Sequence, residues 1–183
     1  IETQPTISEG DVFLHNDPYH RGTHQADCMV CRPIFYQGER VGFGANRGHW
    51  TDIGGMAPGG WSGTAEDVVQ EGLILSSIRL IHAGQVNQDI KRFLLRNVRM
   101  VDQLWGDIQS QIASNIVAER RIVRLIERYG LERFRASERY ALDYSRRRFR
   151  AGLEQLPDGV AQGEDVIEDD GRGGGPFPIR VTI

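Results

Sequence analysis

Short apolar runs broken by glycine, histidine, aspartate and proline fill the first third of the chain, and helical periodicity takes over after it. Asp11–Leu14, Met29–Tyr36 and Arg40–Ala45 read as strands, with Gln37–Gly38 as a hairpin turn between the last two. Asn46–Gly63 is dense in glycine and reads as a shaped loop. Thr64 can cap a short helix with Glu66 and Asp67 in its first turn, and Asn87 can cap a second one reaching about Asn97. Val101, Leu104, Trp105, Ile108, Ile112, Ile116, Val123 and Ile126 recur mostly at three- and four-residue steps, which builds one apolar face on a long helix. That helix ends at Tyr129–Gly130, where glycine suits a left-handed cap. Leu131–Leu156 predicts a fourth helix, stopped by Pro157–Gly159. Val160–Gly175 is acidic and glycine-rich and reads as a mobile loop. Phe177–Ile183 alternates like a strand that the end of the chain cuts off without a partner. The expected architecture is α+β: a strand-and-loop region over residues 1–63, a layer of long helices over 64–156, and an acidic loop with a truncated strand over 157–183. All three belong to one domain or to part of one, as in a piece of a larger subunit. The first residue is not Met, which fits the same expectation.

Composition adds limits. With 183 residues, 39% hydrophobic and 26% charged, the chain can bury a core and is not of disordered type. No apolar run approaches the ~20 residues needed to cross a bilayer. No signal peptide is visible and there are only two cysteines, so a cytoplasmic setting is expected. The net charge of −3 is unevenly spread, since residues 91–150 carry 15 basic and 7 acidic groups. Arg120, Arg121, Arg124 and Arg128, then Arg146, Arg147, Arg148 and Arg150, are interleaved with acids in a chain of pI about 6.0. They read as a solvated or subunit-facing surface rather than a nucleic-acid interface.

The chemistry-bearing residues are concentrated near the start. Four of the five histidines (His15, His20, His24 and His49) lie within residues 15–49, with Asp17, Asp27 and Asp52 beside them. Each taken singly is an ordinary surface, turn or capping residue. Together, imidazole and carboxylate suit Zn, Mn or Fe(II). A loop between two strands can supply His24 and Asp27, and the chain after the hairpin can supply His49. Residues three apart cannot share a strand face, so a turn is expected between His24 and Asp27. Asp52, three residues past His49, is a candidate to orient a ligand. His15 and Asp17 precede Pro18–Tyr19, whose restricted backbone should fix their direction. They are candidates for moving protons, with Tyr19 and His20 on the substrate wall.

The run from Gly10 to Gly72 resembles the hydantoinase B family. The resemblance rests on Gly10-Asp-Val-Phe-Leu-His-Asn-Asp-Pro-Tyr19, Gly22-Thr-His24, Asp27, Ala45-Asn-Arg-Gly-His49, Asp52-Ile-Gly-Gly-Met-Ala-Pro-Gly59 and Gln70-Glu-Gly72. Weaker similarity continues to Tyr129-Gly130. It implies a metal-bearing subunit that works with an ATP-binding hydantoinase A-type partner. It implies His24, Asp27 and His49 as ligands of one divalent ion, Zn or Mn. The activity implied is hydrolysis of a cyclic amide or imide phosphorylated on the partner. A ketone carboxylase subunit and a non-catalytic assembly module are the alternatives. Relatives usually have Gly at Arg21 and often a second His at Trp50, so those two residues would reshape the rim of the site.

Two motifs are set aside. Cys28-Met-Val-Cys31 has zinc-ribbon spacing but no second pair, and reads as two core cysteines. Gly171-Arg-Gly-Gly-Gly175 lacks the Gly-Lys-Ser/Thr ending of a phosphate loop. With no other nucleotide motif, no cofactor-binding residue is assigned to this chain, and ATP is expected on the partner.

Overall fold

The computed structural model describes residues 6–60 and 62–183, in two compact units that divide after Leu125. Trp61, inside the expected glycine loop, lies outside the described residues.

The first unit is built on a five-stranded antiparallel sheet. Its strands are β1 (Val12–His15), β2 (Asp27–Tyr36), β3 (Glu39–His49), β4 (Ile78–His82) and β5 (Gln85–Val86), in the spatial order β3-β2-β1-β4-β5. The β2–β3 hairpin turns at Gln37 (φ 50°) and Gly38 (φ 80°), the paired left-handed geometry that tight hairpins favour. Its register runs from Asp27 opposite His49 to Tyr36 opposite Glu39. β4 and β5 lie in the stretch expected to be helical, joined by a second tight turn at Ala83–Gly84.

Two helices belong to this unit, α1 (Gln88–Arg96) and the first part of α2 (Val101–Tyr129). Asn87 caps α1 as expected, accepting from the N–H groups of Asp89 and Ile90. The core joins Val12 and Leu14 of β1, Cys28 and Val30 of β2 and Leu80 of β4 to Leu94, Leu104 and Ile108 of the helices. These strand positions alternate, so one sheet face is closed by helix.

β3 continues four residues past its expected end at Ala45, and the glycines read as loop are part of the reason. A Cβ on Gly48 would stand 2.9 Å from Nε2 of Gln111 on α2, and one on Gly44 would touch Asn115. The missing side chains let α2 approach the strand closely, and polar groups fill the seam. Asn46 Nδ2 donates to the Gln111 carbonyl (2.8 Å), Asn115 Nδ2 to the Val30 carbonyl (2.9 Å) and Arg32 Nε to Glu119 Oε2 (2.7 Å). Gln111, Asn115 and Glu119 are spaced by four and form one stripe on α2.

Thr64 does not cap a helix. Asp67 does so instead, in a capping box with Gln70, over a single 3₁₀ turn (Val68–Glu71) that ends at Gly72 (φ 138°). A Cβ on Gly72 would stand 2.7 Å from the Ile53 carbonyl oxygen, so the chain there must be glycine.

The second unit holds the end of α2, α3 (Leu131–Leu153) and a hairpin of β6 (Gln162–Ile167) and β7 (Phe177–Thr182). α3 stops three residues short of the expected end. The expected loop at 160–175 contains β6, and the strand expected to lack a partner pairs with it from Gln162–Thr182 to Ile167–Phe177. Acidic residues hid that strand, whose Gly-Glu-Asp stretch has no alternating apolar signal. Every residue of β6 and β7 is exposed.

Candidate metal centre

β2 begins at Asp27 and β3 ends at His49, and the hairpin register sets these two directly opposite, on one face of the sheet. His24 reaches the same place from the turn before β2, where the Asp27 N–H donates to the His24 carbonyl (3.1 Å). The turn expected between His24 and Asp27 is therefore present. His24 Nε2 lies 3.3 Å from Asp27 Oδ2, and the two imidazole rings are 5.1 Å apart at an angle of 51°. One ligand atom from each of the three residues lies within 4.8 Å of the others. Ligand atoms around a tetrahedral ion with bonds of about 2.1 Å are about 3.4 Å apart, so the three side chains would have to draw together to share one. Two imidazoles and one carboxylate, half-buried to exposed, suit a divalent ion with coordination positions left open.

Three residues outside the expected set hold this geometry. Thr23 Oγ1 donates to Asp27 Oδ2 (2.9 Å) and accepts from Arg47 Nη1 (3.2 Å), which fixes the carboxylate from behind. Asn16 is fully buried, and its amide donates to the Gln25 and Leu73 carbonyls while its Oδ1 accepts from the Leu75 N–H. It ties the His24 turn to the chain entering β4. Polar residues beside a loop carry this information only once the fold brings distant segments to them.

His15 is paired with Met29, two residues along β2 from Asp27, which makes it a diagonal neighbour of Asp27 on the same face. Its Nε2 donates to the His20 carbonyl (2.7 Å), so in the neutral ring Nδ1 accepts from Ser77 Oγ (3.4 Å). Asp17 Oδ2 accepts from Ser76 Oγ and from His20 Nδ1 (3.0 Å), while Oδ1 accepts from the Tyr19 N–H (3.0 Å). The Ser76 hydroxyl is the main cause holding the Asp17 carboxyl below its usual range, with His20 and the Tyr19 N–H adding to it against partial desolvation. The Asp17 carbonyl accepts from the His20 and Gly22 N–H groups, closing a turn in which Arg21 adopts φ 70°. That left-handed position explains why glycine suits the Arg21 site.

Two expected site residues lie elsewhere. Trp50, expected at the rim, is 1% exposed in the core, and its Nε1 donates to Gln111 Oε1 (2.7 Å). Asp52, expected to orient a ligand, instead accepts from the N–H groups of Gly54, Arg99 and Met100 and pairs with Arg99 Nη1 (3.2 Å). It fastens a distant loop to the chain just before α2. Burial pushes its carboxyl up, but these donors and the guanidinium outweigh that and hold it low. Cys28 and Cys31 are free and buried, and burial pushes both thiols up, as suits core cysteines.

A cleft of about 370 Å³ opens beside the centre, walled by Pro18, Tyr19, Thr23, His24 and Gln25 on one side and by residues of the 65–71 segment on the other. Tyr19 is 76% exposed. His20 and Arg21 are exposed beside it but do not line it.

The sequence profile of the hydantoinase B/oxoprolinase family matches residues 1–183. The caprolactamase beta subunit of Pseudomonas jessenii is 38% identical over 177 residues, covering 97% of this chain and 30% of that subunit. The crystal structure of the ATP-dependent caprolactamase from the same organism superposes with a TM-score of 0.91 over 98% of this chain and 31% of that one. The acetophenone carboxylase delta subunit of Aromatoleum aromaticum is 29% identical over 154 residues, covering 84% of this chain and 22% of that subunit. This chain thus spans less than a third of the length of these relatives. On the profile match and the caprolactamase likeness, it belongs to the hydantoinase B/oxoprolinase family.

Proposed function

We propose that this chain is the metal-binding part of an ATP-dependent cyclic amide hydrolase of hydantoinase or oxoprolinase type. The ring carbonyl would be phosphorylated on a hydantoinase A-type partner subunit that carries the ATP, in the cytoplasm. The observation that carries the reading is the convergence of His24, Asp27 and His49. When bound there, a Zn or Mn ion supplies Lewis acidity and brings the pKa of a bound water toward ~7. The chain's own residues do the positioning. Thr23 and Arg47 aim the Asp27 carboxylate, and Asn16 holds the His24 turn. With His15 Nε2 committed to the His20 carbonyl, proton movement at His15 runs through Nδ1 and the Ser77 hydroxyl. Asp17 holds His20 by its Nδ1, and Tyr19 walls the cleft where the substrate would sit, with His20 and Arg21 exposed beside it.

The ATP-dependent ketone carboxylase is the second reading, supported by the likeness to the acetophenone carboxylase delta subunit. Both readings need the metal, and an assembly module does not. Metal analysis of the purified chain after loading with Zn or Mn should give one ion per chain, and His24→Ala, Asp27→Ala or His49→Ala should weaken its binding at least 100-fold. Unchanged binding in all three variants would remove the proposal. Reconstitution with the ATP-binding partner then separates hydrolysis from bicarbonate-dependent carboxylation.

A further inference from the structure

A cation stands beside the metal centre without a carboxylate partner. Arg47 lies on β3 opposite Met29, two residues before His49, so its side chain leaves the sheet on the same face as His49 and Asp27. It is exposed, and its one hydrogen bond among the described residues runs from Nη1 to Thr23 Oγ1 at 3.2 Å. Thr23 in turn donates to Asp27 Oδ2 at 2.9 Å, so a single hydroxyl separates the guanidinium from the candidate ligand carboxylate. Arg32 and Arg99 of the same unit pair with Glu119 and Asp52. Arg47 meets only a neutral hydroxyl among the described residues, which leaves its charge uncompensated. With Nη1 on Thr23, the Nη2 and Nε donors face outward for another acceptor.

We infer that Arg47 binds the phosphoryl group of an activated substrate, its guanidinium holding one phosphoryl oxygen while another faces the His24, Asp27 and His49 cluster. This rests on the ATP-dependent reading above and deepens it. A divalent ion on two neutral imidazoles and one carboxylate keeps a net charge of +1, and the guanidinium adds a second. A phosphate monoester carries about −1.5 to −2 at pH 7, which this pair of charges matches. The planar fork of arginine suits phosphoryl oxygens. A phosphoryl group with one oxygen on an ion and another on a guanidinium spans about 5–7 Å between them, the reach of one intervening hydroxyl. Glu66, Asp67 and Glu71 on the far wall of the cleft repel such a group. The phosphoryl end of the substrate therefore turns toward Arg47, and its uncharged end toward the cleft.

Phenylphosphonate and benzoate differ only in their anionic head, and together with inorganic phosphate they test this on the 183-residue chain loaded with one equivalent of Zn. Affinities come from calorimetric titration, and the Arg47 Nε–H resonance is followed in ¹H–¹⁵N NMR spectra. Phenylphosphonate should bind the unaltered chain at least tenfold more tightly than benzoate and should shift the Arg47 resonance. Arg47→Gln should weaken phenylphosphonate at least tenfold and benzoate less than twofold. Arg47→Lys, which keeps the charge without the fork, should recover part of the loss. Inorganic phosphate, with no body to lie in the cleft, should bind more weakly than phenylphosphonate. Equal or tighter binding of inorganic phosphate would overturn the assignment to a substrate and leave a site for the free ion. An Arg47 resonance that stays in place at saturating phenylphosphonate would overturn the inference even where Arg47→Gln fails to fold or to hold Zn. Arg47-dependent binding in a chain that holds no Zn would support the phosphoryl contact while removing the hydrolase reading. Zn binding with a phenylphosphonate affinity indifferent to Arg47 would remove this inference alone, leaving Arg47 as a residue that aims Asp27.

Discussion

Asp52 shows how much a single side chain can hold. It is 3% exposed and receives three backbone N–H groups and the Arg99 guanidinium. Asp52→Asn turns one acceptor into a donor facing those N–H groups, and the expected loss is about 2 kcal/mol of unfolding free energy, read by urea denaturation, with metal content unchanged. Asp11 acts similarly where β1 begins. Burial pushes its carboxyl up, but the Ser8 and Ala83 N–H groups, His82 and Arg79 hold it below its usual range. A carboxyl whose folded pKa is depressed contributes stability that is fully present above its unfolded value of about 3.9 and is lost as pH falls through the folded value. Unfolding free energy should therefore stay level from pH 7 to pH 5 and fall below about pH 4. The acid limb should be shallower in Asp52→Asn, and an equally steep limb would show that Asp52 is not among its causes. His15→Ala separates proton movement from metal binding. It should retain one ion per chain and lower turnover of the reconstituted complex at least tenfold. Loss of the ion would place His15 among the ligands.

At the scale of elements, the centre depends on how α2 lies against β2 and β3. Gln111 is the hinge of that contact: Oε1 accepts from Trp50 Nε1, and Nε2 donates to the Cys28 carbonyl and to Asn46 Oδ1. Its neighbours across the seam include Gly48, one residue before the candidate ligand His49. Gln111→Ala leaves three part-buried polar partners unmet, and the expected cost is about 2–3 kcal/mol by denaturation. Because the seam sets the end of β3, the variant should also bind Zn more weakly, by about tenfold, on the scale seen when groups behind metal ligands are removed. Full Zn affinity in a destabilised Gln111→Ala would show that the hairpin alone fixes His49. Apolar periodicity made α2 visible in the sequence, while nothing in the spacing of Gln111, Asn115 and Glu119 shows what that polar stripe packs against.

At the scale of the whole molecule, the second unit presents large apolar side chains to solvent. Leu142 on α3 is 72% exposed and Phe149 70%, and Val166, Ile179 and Val181 of the hairpin are about half exposed. Surfaces of this kind mark contacts with other protein. The isolated chain is expected to self-associate as concentration rises, as read by light scattering, and to show no ATP-driven hydrolysis of cyclic amides by itself. A monodisperse monomer at high concentration would mean that these side chains are tolerated in water. Steady turnover by the chain alone would contradict a nucleotide site on a partner.

The sequence alone was enough for the α+β class, the β2–β3 hairpin, the α1 cap, the span of α2 and the grouping of His24, Asp27 and His49. Local chemistry specifies each of these: a tight turn, a capping side chain, an apolar stripe, a cluster of ligand-forming side chains. The tertiary structure decided what depends on partners distant in the chain. β4 and β5 are too short to signal themselves, and β6 is too acidic, so pairing alone defines them. Trp50 and Asp52 stand beside His49 in the sequence, yet packing against Gln111 and hydrogen bonds to Arg99–Met100 draw them away from it. Gln25 looks like any polar loop residue until burial against Val68 leaves its oxygen without a donor among the described residues. A hydrogen bond needs its partner in space, and spacing along the chain does not encode where a residue fifty positions away will lie.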